Sequence, residues 1–488
     1  MDTIWENYKE IVAIEPSGRI TEHKIEFLVQ EREEMKDLTR ATQISHNVYL
    51  GNTADIYNTV CEYVTADDKV ESKGFDVLIE AKDMVDIASP AVLRDAEVIL
   101  NGGVPPREVA LSRLGWGPAP SLTRPLSLEF PSSTPLSTAR HDPSAIVSFC
   151  EWMYHIAHTP GSTAESSTCE DVAMTDEITL DNSPILDRHI LIHCADGYTE
   201  STFLALAYLI YAEGITAHEA WVKLHTDLGR SFFAFEADLK TLNCLQSYLL
   251  ARSPTTTALH RLSSSPSVPA WFTNPNFDGS FPSRILDHMY LGNLQHANNP
   301  EMLRALGIKR VLSIGERVDW DVQKEQEAGM QIMYLDNVQD NGIDPLLDYI
   351  DPCLQFLGIS LPFYRLTLSD EGKCAGESTL VHCRVGVSRS ASICIAEVMR
   401  REEKTLPRAY LYVRARRLNV IIQPNLRFMY ELMKWEEMEH ARKLERMTLN
   451  PFSDGGGAEK REYKREMEWA WLCKEIADLN KTYTTSSS

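Results

Sequence analysis

Short, unbroken apolar runs closed by turn residues recur along the chain and predict strands buried on both faces. They lie at Ser45–Asn52, Gly74–Ala81, Leu191–Cys194, Ile285–Asn293, Ile308–Ile314 and Ser378–Val381. Between them the apolar residues take helical spacing. Ile146, Phe149, Trp152, Met153 and Ile156 predict a helix from Asp142 to His158, and Ile393, Ile395, Ala396, Val398 and Met399 predict one from Ala391 to Arg401. A further helix is expected from Thr202 to Ala212, and Thr216 with Glu219 forms a capping box that opens another. Strands alternating with helices argue for an α/β fold built on a mostly parallel sheet flanked by helices.

The pattern runs twice. Residues 285–293 echo 45–52, residues 308–314 echo 74–81, and Leu380–Ser390 echo Leu191–Ser201. Three echoes in one order predict two tandem domains, since the repeat is far longer than a solenoid unit of ~20–50 residues. Expected boundaries are a polar segment at 1–40, partly helical from Lys24 to Leu38, and a first domain at 41–252. A Ser/Pro/Thr-rich linker at 253–283 leads to a second domain at 284–448, and a charged helix and tail fill 449–488. Residues 100–140 and the acidic stretch Gly161–Asp181 read as loop insertions in the first copy, and Ser360–Glu377 as one in the second.

Candidate chemistry concentrates where the second copy passes from strand to helix: His382-Cys383-Arg384-Val385-Gly386-Val387-Ser388-Arg389-Ser390. A loop feeding a helix N-terminus gathers unpaired N–H groups and the positive end of the helix dipole, which makes it an anion site. A cysteine there has its thiol pKa drawn from ~8.5 toward roughly 3.5–7.5. Arg389 can grip a phosphoryl group in a bidentate fork, and Gly386 lets the amides turn inward.

Composition narrows the partners. The 488 residues carry a net charge of −22, which argues against nucleic acid or an anionic membrane surface as partner. Ten scattered cysteines without Cys-x-x-Cys pairs suggest neither a zinc site nor a disulfide framework, so no metal or cofactor is expected. With no signal peptide at Met1 and no spanning apolar run, the expected location is cytoplasm or nucleus.

The spacing His-Cys-x-x-Gly-x-x-Arg-Ser resembles the signature loop of the cysteine-dependent phosphatases. Over residues 284–448 the second copy resembles the dual-specificity protein phosphatases, through Tyr290-Leu291-Gly292, Gly307-Ile308, the loop itself and Gln423-Pro424-Asn425-Leu426-Arg427-Phe428. The tandem layout is similar to that of the fungal dual-specificity phosphatases linked to S phase. The resemblance implies a phosphoprotein substrate and no cofactor. It implies Cys383 as nucleophile, Arg389 and the amides of Arg384, Val385, Gly386, Val387 and Ser388 as phosphate ligands, and His382 as a tuner of the thiolate. Ser390 would assist thiolate departure and Asn425 would brace the loop. Met333-Tyr334-Leu335-Asp336 resembles the strand that ends in the family's general acid, so Asp336 is the expected acid, with Asp340 its rival. Both phosphotyrosine and phosphoserine or phosphothreonine are expected substrates. A phosphoprotein-binding scaffold, or a lipid or RNA phosphatase, is the alternative.

In the first copy the loop reads Cys194-Ala195-Asp196-Gly197-Tyr198-Thr199-Glu200-Ser201. Glu200 stands where Arg389 would, and at ~4 Å and an effective dielectric of about 20 that pairing costs a phosphate roughly 4 kcal/mol. The first domain is therefore expected to lack phosphatase activity and to serve packing or a partner protein, unless Arg230 compensates.

Overall fold

The computed structural model describes residues 25–64, 70–102, 125–133, 142–159, 187–233, 235–255, 268–275, 277–358, 378–448 and 465–484. The insertions expected at Gly161–Asp181 and Ser360–Glu377 lie outside these residues, as does most of the loop expected at 100–140, within which Leu126–Pro131 is a strand rather than loop. The chain divides into two compact units, one of Thr39–Ser280 and one of Met1–Leu38 together with Phe281–Ser488.

The chain begins with helix α1 (Phe27–Leu38), which belongs to the second unit. The first unit then builds β1 (Thr42–Ser45), β2 (Val48–Asn52), a two-stranded ribbon of β3 (Cys61–Val64) and β4 (Val70–Lys73), β5 (Val77–Lys82), α2 (Pro90–Leu100) and β6 (Leu126–Pro131). It continues through α3 (Pro143–His158), β7 (Ile190–Cys194), α4 (Thr202–Glu213), α5 (Ala217–Thr226) and α6 (Glu236–Arg252). Its sheet runs β1-β2-β7-β5-β6, antiparallel only at β1–β2.

The second unit repeats this plan. After β8 (Ser283–Leu286) and β9 (Met289–Gly292) come two short helices, α7 (Leu294–Ala297) and α8 (Pro300–Ala305), then β10 (Ile308–Ile314), α9 (Val322–Glu327) and β11 (Gln331–Leu335). Helix α10 (Leu347–Gly358), β12 (Ser378–His382), α11 (Arg389–Arg401), α12 (Leu406–Arg416), α13 (Leu426–Thr448) and α14 (Trp469–Thr484) complete it. The sheet runs β11-β10-β12-β9-β8, antiparallel only at β8–β9. The duplication extends to an irregularity: register shifts at Gln43/Ser45 in one unit and at Arg284/Leu286 in the other. Each central strand, β7 or β12, is buried on both faces and ends at a cysteine loop, so each loop has a rigid base.

Three stretches read as peripheral are structural. Phe27 of α1 is buried in the core of the second unit and stacks on Tyr410 of α12, with ring centroids 6.1 Å apart. Glu31 and Glu34 pair with Arg414 and Arg416. Arg414 also donates to Asn480 of α14 at 2.8 Å, and α14 buries Leu472 and Leu479 in the same core. The second half of the presumed linker packs into the first unit. Trp221 Nε1 donates to Gly279 O at 2.8 Å, and Phe272 lies 5.9 Å from the Trp221 ring. Buried aromatics decide these segments; Ser/Pro content or helical charge, on which the sequence reading rested, does not.

Two stability predictions arise here. Glu31 and Arg414 are 6% and 2% exposed, so Glu31→Gln leaves a buried guanidinium without its counter-charge. A loss of about 3 kcal/mol is expected in urea unfolding of the full chain. In the first unit Asp238 is buried, and that burial pushes its carboxyl up to about 7. Between the unfolded value of ~3.9 and that raised value the folded protein holds a proton that the unfolded chain releases, so this contribution is present at low pH and is lost as pH rises through 7. Asp238→Asn is expected to stabilise the first unit at pH 8 but not at pH 4, read from urea midpoints at the two pH values.

Among the described residues no helix is long and apolar enough to cross a membrane, and no group of three or more His, Cys, Asp or Glu could hold a metal ion.

Candidate active site

Cys383 is the first residue past β12 and is 3% exposed. Its sulfur accepts the Gly386 N–H at 3.3 Å and the Ser390 hydroxyl at 3.2 Å. Burial pushes the thiol up, but hydrogen bonds from the Ser390 hydroxyl and N–H and the Gly386 N–H, with the charge of Arg389, outweigh it and hold the thiol below its ordinary value. Gly386 makes the turn possible, because its φ is +81° and a Cβ there would sit 2.3 Å from Gly292 O. His382 is wholly buried, and burial lowers it to about 4, so the ring is neutral near pH 7. Its Nδ1 lies 3.3 Å from Cys383 O, which ties strand end to loop.

Arg389 opens α11, and its head group is held from several sides. Nη1 donates to Ile314 O at 3.1 Å and to Val338 O at 3.5 Å, and Nη2 to Glu316 Oε1 at 3.1 Å. Nε is buried without a partner. Room for the guanidinium comes from Gly315, whose Cβ would meet Arg389 Nη1 at 2.0 Å. Arg384, largely exposed, lies 3.8 Å from the same Glu316 carboxylate. Sequence reading passed over Gly315 and Glu316; two residues beyond a strand end, facing the loop of the neighbouring strand, are legible only once β10 is known to pair with β12.

The two rival acids are placed differently. Asp340 Oδ1 accepts from Ser388 Oγ at 2.9 Å and from Asn425 Nδ2 at 2.8 Å, directly on the loop. Asp336, the residue preferred from sequence, pairs with Arg317 at 2.6 Å on the exposed surface. Strand β11 ends at Leu335, one residue before Asp336. The chain runs on through Val338, whose carbonyl holds Arg389, before a carboxylate meets the loop. Asn425 does brace the loop: its N–H donates to Ser388 Oγ at 3.2 Å, and its Oδ1 caps α13 by accepting from Phe428 N at 2.9 Å.

The first unit keeps the frame and reverses the field. Cys194 Sγ and Ser201 Oγ are again 3.2 Å apart, and Gly197 again has positive φ, at +77°. The cradle itself is filled by Asp196. Its Oδ1 accepts the N–H groups of Tyr198 and Thr199 at 3.0 Å each and the Cys194 thiol at 3.2 Å, and its Oδ2 accepts the Thr199 hydroxyl at 2.5 Å. Burial and then the Asp196 charge push the Cys194 thiol up, opposite to Cys383. Arg230 does not replace the lost clamp. It is buried and donates to Thr39 O at 3.1 Å, Gly197 O at 2.7 Å and Arg40 O.

Residues 289–438 match the family model for the dual specificity phosphatase catalytic domain. The chain is 32% identical over 375 residues to dual specificity protein phosphatase PPS1 of Saccharomyces cerevisiae, an alignment covering 62% of this chain and 42% of that protein. It is 32% identical over 164 residues to dual specificity protein phosphatase 1 of Homo sapiens, covering 34% of this chain and 40% of the relative. The chain thus spans about two fifths of the length of these relatives. Among solved structures, human DUSP28 aligns with 24% identity and a TM-score of 0.27, over 33% of this chain and 99% of its own. The match to the dual specificity phosphatase catalytic domain thus falls on the unit whose cysteine loop follows a central parallel strand.

Proposed function

We propose that the second unit hydrolyses phosphotyrosine and phosphoserine or phosphothreonine on proteins through a phosphocysteine at Cys383. The observation that carries this reading is the sulfur itself, stabilised as thiolate by Gly386 N–H, Ser390 and Arg389. In the first step the thiolate attacks phosphorus in line and the bond to the leaving oxygen breaks. Asp340, on the loop through Ser388 and Asn425, gives that oxygen its proton. Loop amides and Arg389, whose buried Nε is an unused donor, hold the equatorial oxygens. In the second step Asp340 takes a proton from water as water attacks phosphorus. The S–P bond breaks, and the Ser390 hydroxyl at 3.2 Å stabilises the departing thiolate.

In this reading the first unit is catalytically silent. Asp196 occupies its cradle, Glu200 replaces the clamp, and its thiol is held protonated. Its role is then structural or the capture of a partner protein. A function in S-phase signalling follows from the likeness to the fungal phosphatases alone, and the proposed location is cytoplasm or nucleus. The test is phosphate release by the full chain from phosphotyrosyl and phosphothreonyl peptides. Release from both is expected. Turnover of neither, with tight retention of the phosphopeptides, would replace the enzyme with a phosphoprotein-binding scaffold.

A further inference from the structure

Three carbonyls of the second unit's loop are held from outside it. Leu294 N donates to Arg384 O at 3.2 Å, Gln423 N to Val387 O at 2.8 Å, and Arg417 Nε to Gly386 O at 3.4 Å. A trans peptide unit is planar, and its C=O and following N–H point opposite ways. Drawing the carbonyls of residues 384, 386 and 387 outward therefore aims the N–H groups of Val385, Val387 and Ser388 inward. Two of these ties come from backbone amides, which side-chain substitution leaves in place. The third comes from Arg417, a buried guanidinium just past α12 that also donates from Nη1 to Ser283 Oγ at 3.1 Å. A Cβ on Gly386 would lie 2.9 Å from Arg417 Nη2, so the fit is close.

The first unit shows what such ties do. Arg230 Nη2 donates to Gly197 O at 2.7 Å, and Phe233 N to Tyr198 O at 3.0 Å. The N–H groups on the far sides of those two peptides, Tyr198 and Thr199, are the ones that donate to the Asp196 carboxylate. By position in the loop Val387 corresponds to Tyr198 and Ser388 to Thr199, and Arg417 matches Arg230 in donating to the carbonyl of the loop glycine. The Asp196 carboxylate thus marks where a phosphoryl oxygen would be received.

We infer that Arg417 is a positioning residue: by holding the Gly386 carbonyl outward it turns the Val387 N–H onto the equatorial oxygens of the transferring phosphoryl group. This rests on the phosphatase reading for its substrate, but the anion cradle can be tested without turnover. Binding of orthovanadate, which mimics the five-coordinate phosphorus, is measured by calorimetry on the full chain as wild type, Arg417→Met, Arg417→Lys and Ser283→Ala. Melting temperatures and kcat/KM on a phosphotyrosyl peptide are measured alongside. Arg417→Met is expected to weaken orthovanadate binding about 10–100-fold, somewhat less than outright loss of an oxyanion donor. The kcat/KM should fall by a similar factor, with a smaller effect on inorganic phosphate as a ground-state ligand. Arg417→Lys should regain part of the loss, and Ser283→Ala, which loosens the guanidinium without deleting it, should cost about threefold.

A folded Arg417→Met protein with wild-type orthovanadate affinity overturns the inference. If that variant does not fold, unchanged affinity in Ser283→Ala overturns it instead. Wild-type protein that does not bind orthovanadate overturns both the cradle and the inference. Wild-type protein that binds orthovanadate but turns over no phosphopeptide ends the phosphatase reading and leaves the Arg417 result standing.

Discussion

Cys383→Ser is expected to lower kcat on phosphopeptides by on the order of 10^4–10^6-fold, the scale of removing a covalent nucleophile. The reason is ionisation. The hydrogen bonds and the Arg389 charge that bring the thiol below its ordinary value cannot make a serine hydroxyl an anion near neutral pH. The substituted cradle keeps Arg389 and the loop amides, so it should still bind phosphopeptides and retain them through gel filtration. Cys194→Ser in the first unit should change turnover by less than about twofold, since that thiol is held protonated beside Asp196. Both variants are read by steady-state phosphate release. Full activity in Cys383→Ser would mean that the chemistry is elsewhere, and loss in Cys194→Ser would give the first unit a share in it.

The second large effect concerns the proton donor. Asp340→Asn should lower kcat by roughly 10²–10⁴-fold on an alkyl phosphate such as phosphothreonine, whose leaving oxygen needs a proton. The loss should shrink on an activated aryl phosphate, which leaves without one. Asp336→Asn should stay within about threefold on both substrates, because that carboxylate is spent on an exposed pair with Arg317. The reverse pattern would restore the acid to the strand tip and make the Asp340–Asn425 contact only a loop brace.

What the sequence disclosed follows from how local each feature is. Buried parallel strands are continuous apolar runs, so β2, β7, β9, β10 and β12 were readable, and with them the duplication and the central place of each cysteine. The cysteine loop was readable because its chemistry needs fixed residue types within one turn of chain. The choice between Asp336 and Asp340 was not, because the segment that carries them follows a neighbouring strand and no local rule fixes its length; contact with Ser388 and Asn425 sets Asp340 apart. Glu316 and Arg417 were hidden for the same reason, each reaching the loop across the sheet or from a helix end. Comparison of the two copies carried a signal that went unused. Arg230 and Arg417 stand at nearly the same distance after their cysteines, and both hold the carbonyl of a glycine with positive φ. Helix α1 looked like a charged preface because six of its twelve residues are charged and its one aromatic, Phe27, finds its partner, Tyr410, 383 residues further on.

That helix has a topological consequence. Because the polypeptide lays down one helix of the second unit, then the whole first unit, then the remainder of the second, the first unit is spliced into its sister rather than strung ahead of it. One proteolytic nick between them would yield two fragments still clasped by Phe27 against Tyr410 and by Glu31 against Arg414. Release of either unit takes two cuts, and a fragment begun at residue 284 would lack the Glu31 carboxylate that faces Arg414 in its interior.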